Sequence, residues 1–405
     1  MRTPGSSDPG RGHVRSDRPV QSGRSAPDRL RTSGLVDQHC HGYAGVDFAT
    51  APVPAVRDAV RELTLNGVTR VVASLPTMPR GETLAAVRRL APLVREDLLA
   101  GLHLEGPFLA TSRCGAHRTE DLQDPADAEA QRWLGETLQA GRVGGDQTIV
   151  AMTYAPELPG AEHVEAALAA HGVLPSPGHT DATAAQLGHA LDRLAQWTVQ
   201  TDRTEARGNR GQMGRMGSDD PKDSDRTPAV THLFNAMRGF HHREPGPVPQ
   251  LLRAAAAGRL RVELIADGHH VDRGVVADLL ELLPAAVCVV SDASAATGAP
   301  AGTYTLGGAR IEAGNAAGLE IGGTASDGAP LLTGTAILAS GSVQLDGALR
   351  NLLHWGVPLP VALASVSTTP ARTLPVHRRN PGWVEWLTDP ETGQIAPGRP
   401  TVGAS

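Results

Sequence analysis

Aromatic residues make up only 3% of the 405-residue chain, too few rings to suggest platforms for stacking nucleic-acid bases. Cysteine is nearly missing. Cys40, Cys114 and Cys288 are far apart and odd in number, which excludes a disulfide framework and a Cys-rich zinc knuckle. No apolar run reaches the roughly 18 residues of a membrane span, and no hydrophobic segment follows the basic N-terminus. The expectation is a soluble, cytoplasmic protein without a membrane partner. Neither sign of charge dominates: 37 basic side chains face 43 acidic ones, for a formal net charge of -6. That balance gives no overall footprint for nucleic acid.

Forty per cent of the residues are apolar, enough for a real core. Residues 1–34 are an exception, with seven arginines, three aspartates and hardly any apolar side chains. That composition predicts a disordered polar tail. A second break, residues 200–228, holds six acidic and six basic side chains with only Ala206, Met213 and Met216 as apolar residues, and predicts a flexible insertion. The stretch 377–405 is rich in Pro and Gly and is expected to be a C-terminal remnant or tail, with Trp383 and Trp386 as anchors.

Between these segments, 35–376 alternates short β-branched runs with Ala/Leu-rich helical patterns. Strands are predicted over 35–39, 68–74, 98–105, 148–153, 173–178, 229–232, 261–266 and 287–291. Helices are predicted over 83–94, 127–140, 161–171, 182–194 and 274–283. Continuous apolar runs suit parallel strands covered by helices. Eight such units close an α/β barrel; an open doubly wound sheet is the competing architecture. The polar residues favour the barrel, because they cluster where the strands end, and barrel strands all end on one face.

Those strand ends supply His39 and His41, Glu105, His179, His232 and Asp292. His39 and His41 are two residues apart, so on a strand both imidazoles point the same way. His103 and Glu105 likewise share a side, and a carboxylate closing an apolar strand is costly without a cation or a donor. Each histidine alone is more often a hydrogen-bonded structural residue than a ligand, Glu105 alone also reads as holding a helix N-terminus or an arginine, and Asp292 as the N-cap of the turn that follows it. Together they offer the three protein ligands, with room for water, that a catalytic metal needs. Asp292 is then suited to carry the water's proton. Elsewhere Arg243 offers a planar fork for phosphate, or an ordinary salt bridge with Glu244 or Asp267. Asn235 and the Ala236 backbone add donors, and His270 is placed to polarise a carbonyl.

The phrases GLHLEGPF, GHTDA, THLFNAM-x5-REPG, ADGHHV and SDA occur in this order. In them the chain resembles the N-acetylglucosamine-6-phosphate deacetylase family of the amidohydrolase superfamily, from about Gly34 to Leu374. The resemblance implies a metal-dependent (β/α)8 barrel that releases acetate from N-acetyl-D-glucosamine 6-phosphate. It implies Glu105, His179 and His232 as ligands of a divalent ion, most often Zn²⁺ but also Fe²⁺ or another, with His39 and His41 available to a second. Asp292 matches the catalytic aspartate. Substrate-binding positions fall on His117, Asn235, Ala236, Arg243, Asp267, Gly268, His269, His270, Leu332, Thr333 and Gly334. A homodimer is also implied. The small β-sandwich domain usual in relatives is expected to be absent or strongly reduced here. A related N-acetylated amino sugar, or a catalytically silent sugar-phosphate-binding protein, are the alternative readings.

Overall fold

The computed structural model describes residues 28–195, 226–314, 320–321, 324–325, 328–375, 380–389, 395–396 and 398–403. Within them, eight parallel strands form the barrel wall. These are β1 (Leu35–Cys40), β2 (Val68–Leu75), β3 (Gly101–Glu105), β4 (Ile149–Tyr154), β5 (Leu174–Pro177), β6 (Ala229–Val230), β7 (Arg261–Ile265) and β8 (Val287–Val290). β1 to β5 pair in sequence, as do β6 to β8. Two seams complete the circuit. The Thr231 N–H donates to the Pro177 carbonyl at 3.1 Å, and Asp292 N–H donates to the His39 carbonyl at 2.9 Å. The competing open sheet is thereby excluded, and all eight predicted strands stand where the apolar runs placed them.

Helices cover the outside. Val53–Leu65 starts on Pro52 and Pro54 and buries Val56, Ala59, Val60 and Leu63, the spacing of one helical face. Ala128–Ala140 is capped by the Asp127 carboxylate, which accepts the Glu129 N–H, and buries Ala130, Trp133, Leu134, Thr137 and Leu138. Arg80–Arg95, Ala161–His171, residues 184–195, Val248–Ala256, Arg273–Leu282 and Leu345–His354 fill the remaining positions.

The barrel interior changes character along its axis. Near the strand starts Val36, Val72, Ala100 and Val150 pack against Ala371 and Leu374 and close the bottom with apolar surface. Midway, His103 is held between the Ser74 hydroxyl (2.9 Å) and the Thr153 hydroxyl (2.7 Å), and Thr153 meets Thr231 at 2.7 Å. At the strand ends lies the cluster of histidines and carboxylates.

Two expectations need correcting. Residues 28–33, read as the end of a disordered tail, form a strand. Asp28–Ser33 pairs antiparallel with Trp383–Thr388, which also pairs with Thr401–Gly403. The polar sequence is ordered by a partner some 350 residues away. Trp386 is buried, its indole N–H donates to the Thr32 hydroxyl at 2.9 Å, and the Arg31 guanidinium stacks 4.0 Å from the Trp383 ring centroid. These three strands form a small sheet separate from the barrel wall. Secondly, a hairpin of Gly302–Leu306 and Ala309–Ala313 follows β8 where no strand was predicted. The predicted insertion lies, from residue 200 to 225, outside the described residues, as do residues 1–27.

Candidate metal centre and cavity

The strand ends break sharply. His179, His232 and Asp292 have φ values of +47°, +27° and +47°, a left-handed conformation that side chains with a Cβ rarely adopt. Such strain persists where surrounding packing enforces it, and it gathers at functional sites. The packing here is tight: a Cβ on Gly178, just before His179, would meet Thr231 Cβ at 2.8 Å and Thr153 Cγ2 at 2.9 Å. The turn swings the imidazole away from the strand direction and into the barrel mouth.

Glu105 is at the centre. Its Oε1 lies 3.0 Å from His179 Nε2 and 2.9 Å from His232 Nε2, and those two nitrogens are 3.1 Å apart. Its Oε2 lies 3.1 Å from His41 Nε2 and 3.3 Å from His117 Nε2. A second nest adjoins the first: His39 and His41 bring their Nε2 atoms to 3.2 Å, and Asp292 Oδ1 lies 3.4 and 3.3 Å from them. All six candidates drawn from strand ends therefore meet.

The donor set fits a divalent cation. Ligands about 2.0–2.1 Å from a tetrahedral ion stand about 3.3 Å from one another, close to the separations of Glu105, His179 and His232. Ring orientation agrees. His179 Nδ1 is 2.8 Å from the Arg113 carbonyl and His41 Nδ1 is 3.2 Å from the Ser74 carbonyl. A carbonyl only accepts, so each Nδ1 carries the proton and each Nε2 presents a lone pair. Two facing lone pairs 3 Å apart require a cation or a proton between them. His232 Nδ1 is buried and has no hydrogen-bond partner among the described residues.

Electrostatics of the metal-free chain reflect this crowding. Burial lowers the His41 pKa, but hydrogen bonds to Asp292 and Glu105 outweigh it and raise the value to about 9. At His179 burial wins and the value falls to about 4. Burial opposes ionisation of Glu105, yet His117 and His39 hold its carboxyl well below the usual range. Burial likewise opposes ionisation of Asp292, while His39 and His41 lower its pKa. A histidine with a raised folded-state pKa stabilises fully below its unfolded value and loses that contribution as pH rises through the folded value. His41 therefore stops helping between about pH 6.5 and 9, and His179 becomes costly as pH falls from 6.5 towards 4. In EDTA, the melting temperature is expected to peak near neutral pH and fall towards pH 9. Zinc should abolish the alkaline loss, since its ligands are deprotonated when bound; a thermal-melt series with and without zinc checks this.

The centre forms the floor of a cavity of about 420 Å³. His117, Asn235, Ala236 and His270 line it. His117 Nδ1 accepts the Thr77 N–H at 3.2 Å, which leaves Nε2 towards Glu105. His270 Nδ1 meets Asp267 Oδ2 at 2.8 Å, and Asp267 also accepts the N–H groups of His269 and His270. Burial lowers the His270 pKa, but the Asp267 carboxylate outweighs it and the value is raised. Asp267, Gly268 and His269 thus build the turn that aims His270 rather than the cavity wall. Arg243 is exposed and does not line the cavity. Leu332, Thr333 and Gly334 form a turn closed by the Leu332 N–H to the Ile337 carbonyl, and the wall there is made by Ile337, Leu338 and Ala339.

Some neighbours went unmarked in the sequence. Arg113 lines the cavity, and both it and Arg238 bind the Asp181 carboxylate, at 2.9 Å each. Glu263, buried in the middle of β7, reaches His39. A carboxylate set in the apolar run Val262-Glu263-Leu264-Ile265 was the available signal.

No family model matches the chain. It is 28% identical over 355 residues to an N-acetylglucosamine-6-phosphate deacetylase of Vibrio furnissii, covering 85% of this chain and 74% of that protein. It is 27% identical over 352 residues to an N-acetylgalactosamine-6-phosphate deacetylase of Escherichia coli O157:H7, covering 86% and 78%. Among solved structures, the N-acetyl-D-glucosamine-6-phosphate deacetylase of Mycobacterium smegmatis matches at 30% identity and a TM-score of 0.72, over 94% of this chain and 88% of that one. A mutant of that enzyme in complex with N-acetyl-D-glucosamine-6-phosphate matches at 29% identity with the same TM-score, over 93% and 87%.

Proposed function

The chain belongs to the N-acetylglucosamine-6-phosphate deacetylase family of the amidohydrolase superfamily, and on that premise we propose that it hydrolyses the acetamide of N-acetyl-D-glucosamine 6-phosphate to D-glucosamine 6-phosphate and acetate. It is a metal-dependent amidohydrolase acting on an N-acetylated amino-sugar phosphate. One observation carries the reading: Glu105, His179, His232 and Asp292 meet on the floor of a cavity open at the strand ends.

Glu105, His179 and His232 would hold the ion, which we take to be Zn²⁺. A divalent cation supplies Lewis-acid polarisation and acidifies water at neutral pH. Asp292 accepts the proton of the attacking water and returns it to the sugar nitrogen as the C–N bond breaks. His270, held by Asp267, donates through Nε2 to the oxygen on which charge develops. His117 and the Asn235–Ala236 turn orient the sugar at the cavity wall. For the phosphate, Arg113 is the guanidinium on that wall, paired with the Asp181 carboxylate that Arg238 also binds. Arg243 remains our assignment for a cation supplied from outside the cavity. In a homodimer its exposed loop, with Phe240 65% exposed beside it, is available to a second copy. The three free cysteines suit a reducing compartment, and we place the enzyme in the cytoplasm.

The test is acetate release from N-acetylglucosamine and N-acetylgalactosamine, each with and without the 6-phosphate. We expect turnover of the phosphorylated gluco sugar, with kcat/KM falling at least about 100-fold without the phosphate. Faster turnover of the galacto phosphate would reassign the epimer, and binding of either sugar phosphate without turnover would leave a silent binding protein.

A further inference from the structure

Glu263 lies in β7 beneath the metal centre, 6% exposed. Its Oε1 accepts the Gln38 amide N–H at 2.7 Å, and Gln38 in turn accepts the Thr373 hydroxyl at 2.9 Å, so the carboxylate cannot swing freely. Its Oε2 meets His39 Nδ1 at 3.2 Å and accepts the backbone N–H of His232 at 3.3 Å. A single carboxylate thus touches one histidine of each ligand nest. The contact differs from those of His179 and His41, whose Nδ1 atoms face neutral carbonyls. An anionic acceptor fixes the tautomer and also makes the opposite nitrogen a stronger ligand. At His39 that nitrogen is Nε2, which faces His41 Nε2 at 3.2 Å and Asp292 Oδ1 at 3.4 Å. His39 is fully buried, so no water turns the ring to another partner.

We propose that Glu263 is the positioning residue that makes the His39–His41 pair able to hold a divalent cation of its own, beside the one bound by Glu105, His179 and His232. The inference rests on the metal-binding reading of the centre and not on the identity of the sugar. In Glu263→Gln the side chain keeps its shape, but an amide N–H turned towards His39 forces Nδ1 to accept, which places the ring proton on Nε2 where the ligand lone pair is needed. An amide oxygen turned there instead is a neutral and weaker acceptor. Both arrangements weaken the His39–His41 nest directly; at the first nest they reach only the backbone N–H of His232, while the side chains of Glu105, His179 and His232 keep their own contacts.

The test uses the full-length chain, stripped with chelator and then equilibrated by dialysis against micromolar zinc, with bound metal counted by mass spectrometry. Cobalt substitution adds an absorption spectrum that reports ligand geometry without substrate. The expected result is two equivalents per parent chain, and one in Glu263→Gln, whose first site loses less affinity than its second. Affinity for the second equivalent should fall by about 10- to 100-fold. Should Glu263→Gln bind no metal, Glu263→Asp decides. It keeps the charge one methylene short, and must retain the first equivalent and weaken the second. Two equivalents at parental affinity in Glu263→Gln, or in Glu263→Asp where that variant decides, would overturn the proposal. So would a parent chain that binds a single equivalent. A parent chain that binds no metal would instead bring down the proposed function, so the two failures are distinguishable.

Discussion

Replacing Asp292 with Asn is expected to lower kcat by about 10³, within the range that a positioned general base contributes, while the ion at Glu105, His179 and His232 stays bound. The carboxylate is placed for proton transfer by the backbone as much as by its neighbours. Asp292 has φ +47°. Its N–H donates to the His39 carbonyl at 2.9 Å, and its own carbonyl accepts the Gly341 N–H at 2.7 Å. Gly341 has no room for a side chain, since a Cβ there would lie 1.9 Å from the Ser291 carbonyl oxygen. Asn fits the same fold, because asparagine tolerates left-handed φ, so the loss falls on chemistry. Burial opposes the charge, but His39 and His41 keep the Asp292 pKa below its ordinary value, and the group is a ready base at neutral pH. The amide has no basic oxygen of that strength. Acetate release together with zinc content checks the prediction: normal turnover with zinc bound would remove Asp292 from the chemistry.

A second large effect is expected at Glu105. Glu105→Gln should reduce zinc affinity by at least about 100-fold and activity with it, and should alter the melting profile of the metal-free chain. Four histidine Nε2 atoms lie within 3.3 Å of this carboxylate. Removing the charge withdraws support from the protonated forms of His39 and His41, both of which have raised pKa values after burial is outweighed by the nearby carboxylates. Breaking one side of a buried ion pair costs about 3–5 kcal/mol. The metal-free variant is therefore expected to melt lower than the parent below pH 6.5, with the gap narrowing towards pH 9, where the parent has itself lost the His41 contribution. Zinc dialysis and melts across that range measure both parts. Unchanged zinc affinity would mean that the carboxylate is not a ligand.

Much of this architecture was legible in the residues. The barrel strands declared themselves because strands buried in the wall, such as Ile149–Tyr154 and Val287–Val290, read as largely apolar runs, with polar residues standing at the strand ends. Those polar ends became the site, since a barrel brings every strand terminus to one rim. What escaped was set by tertiary partners. Asp28–Ser33 has no pattern of its own and is a strand only because Trp383–Thr388 pairs with it. The 302–313 hairpin is a different case: Ala309–Ala313 alternates apolar and polar residues and Gly307-Gly308 marks its turn, so a strand signal was present there, and the hairpin brings Leu306 to the cavity wall. Placement of Arg243 was equally illegible, because the reach of a loop depends on where the loop folds. Glu263 was visible as a charge in an apolar run, but its target was not, since β1 and β7 are far apart in sequence and meet only across the barrel.

The most direct measurement is anomalous diffraction at the zinc edge from crystals of the zinc-loaded protein. A peak about 2.0–2.2 Å from a Glu105 carboxylate oxygen, His179 Nε2 and His232 Nε2 is the predicted result. Density showing those three atoms hydrogen-bonded to one another, with zinc elsewhere or nowhere, would contradict it.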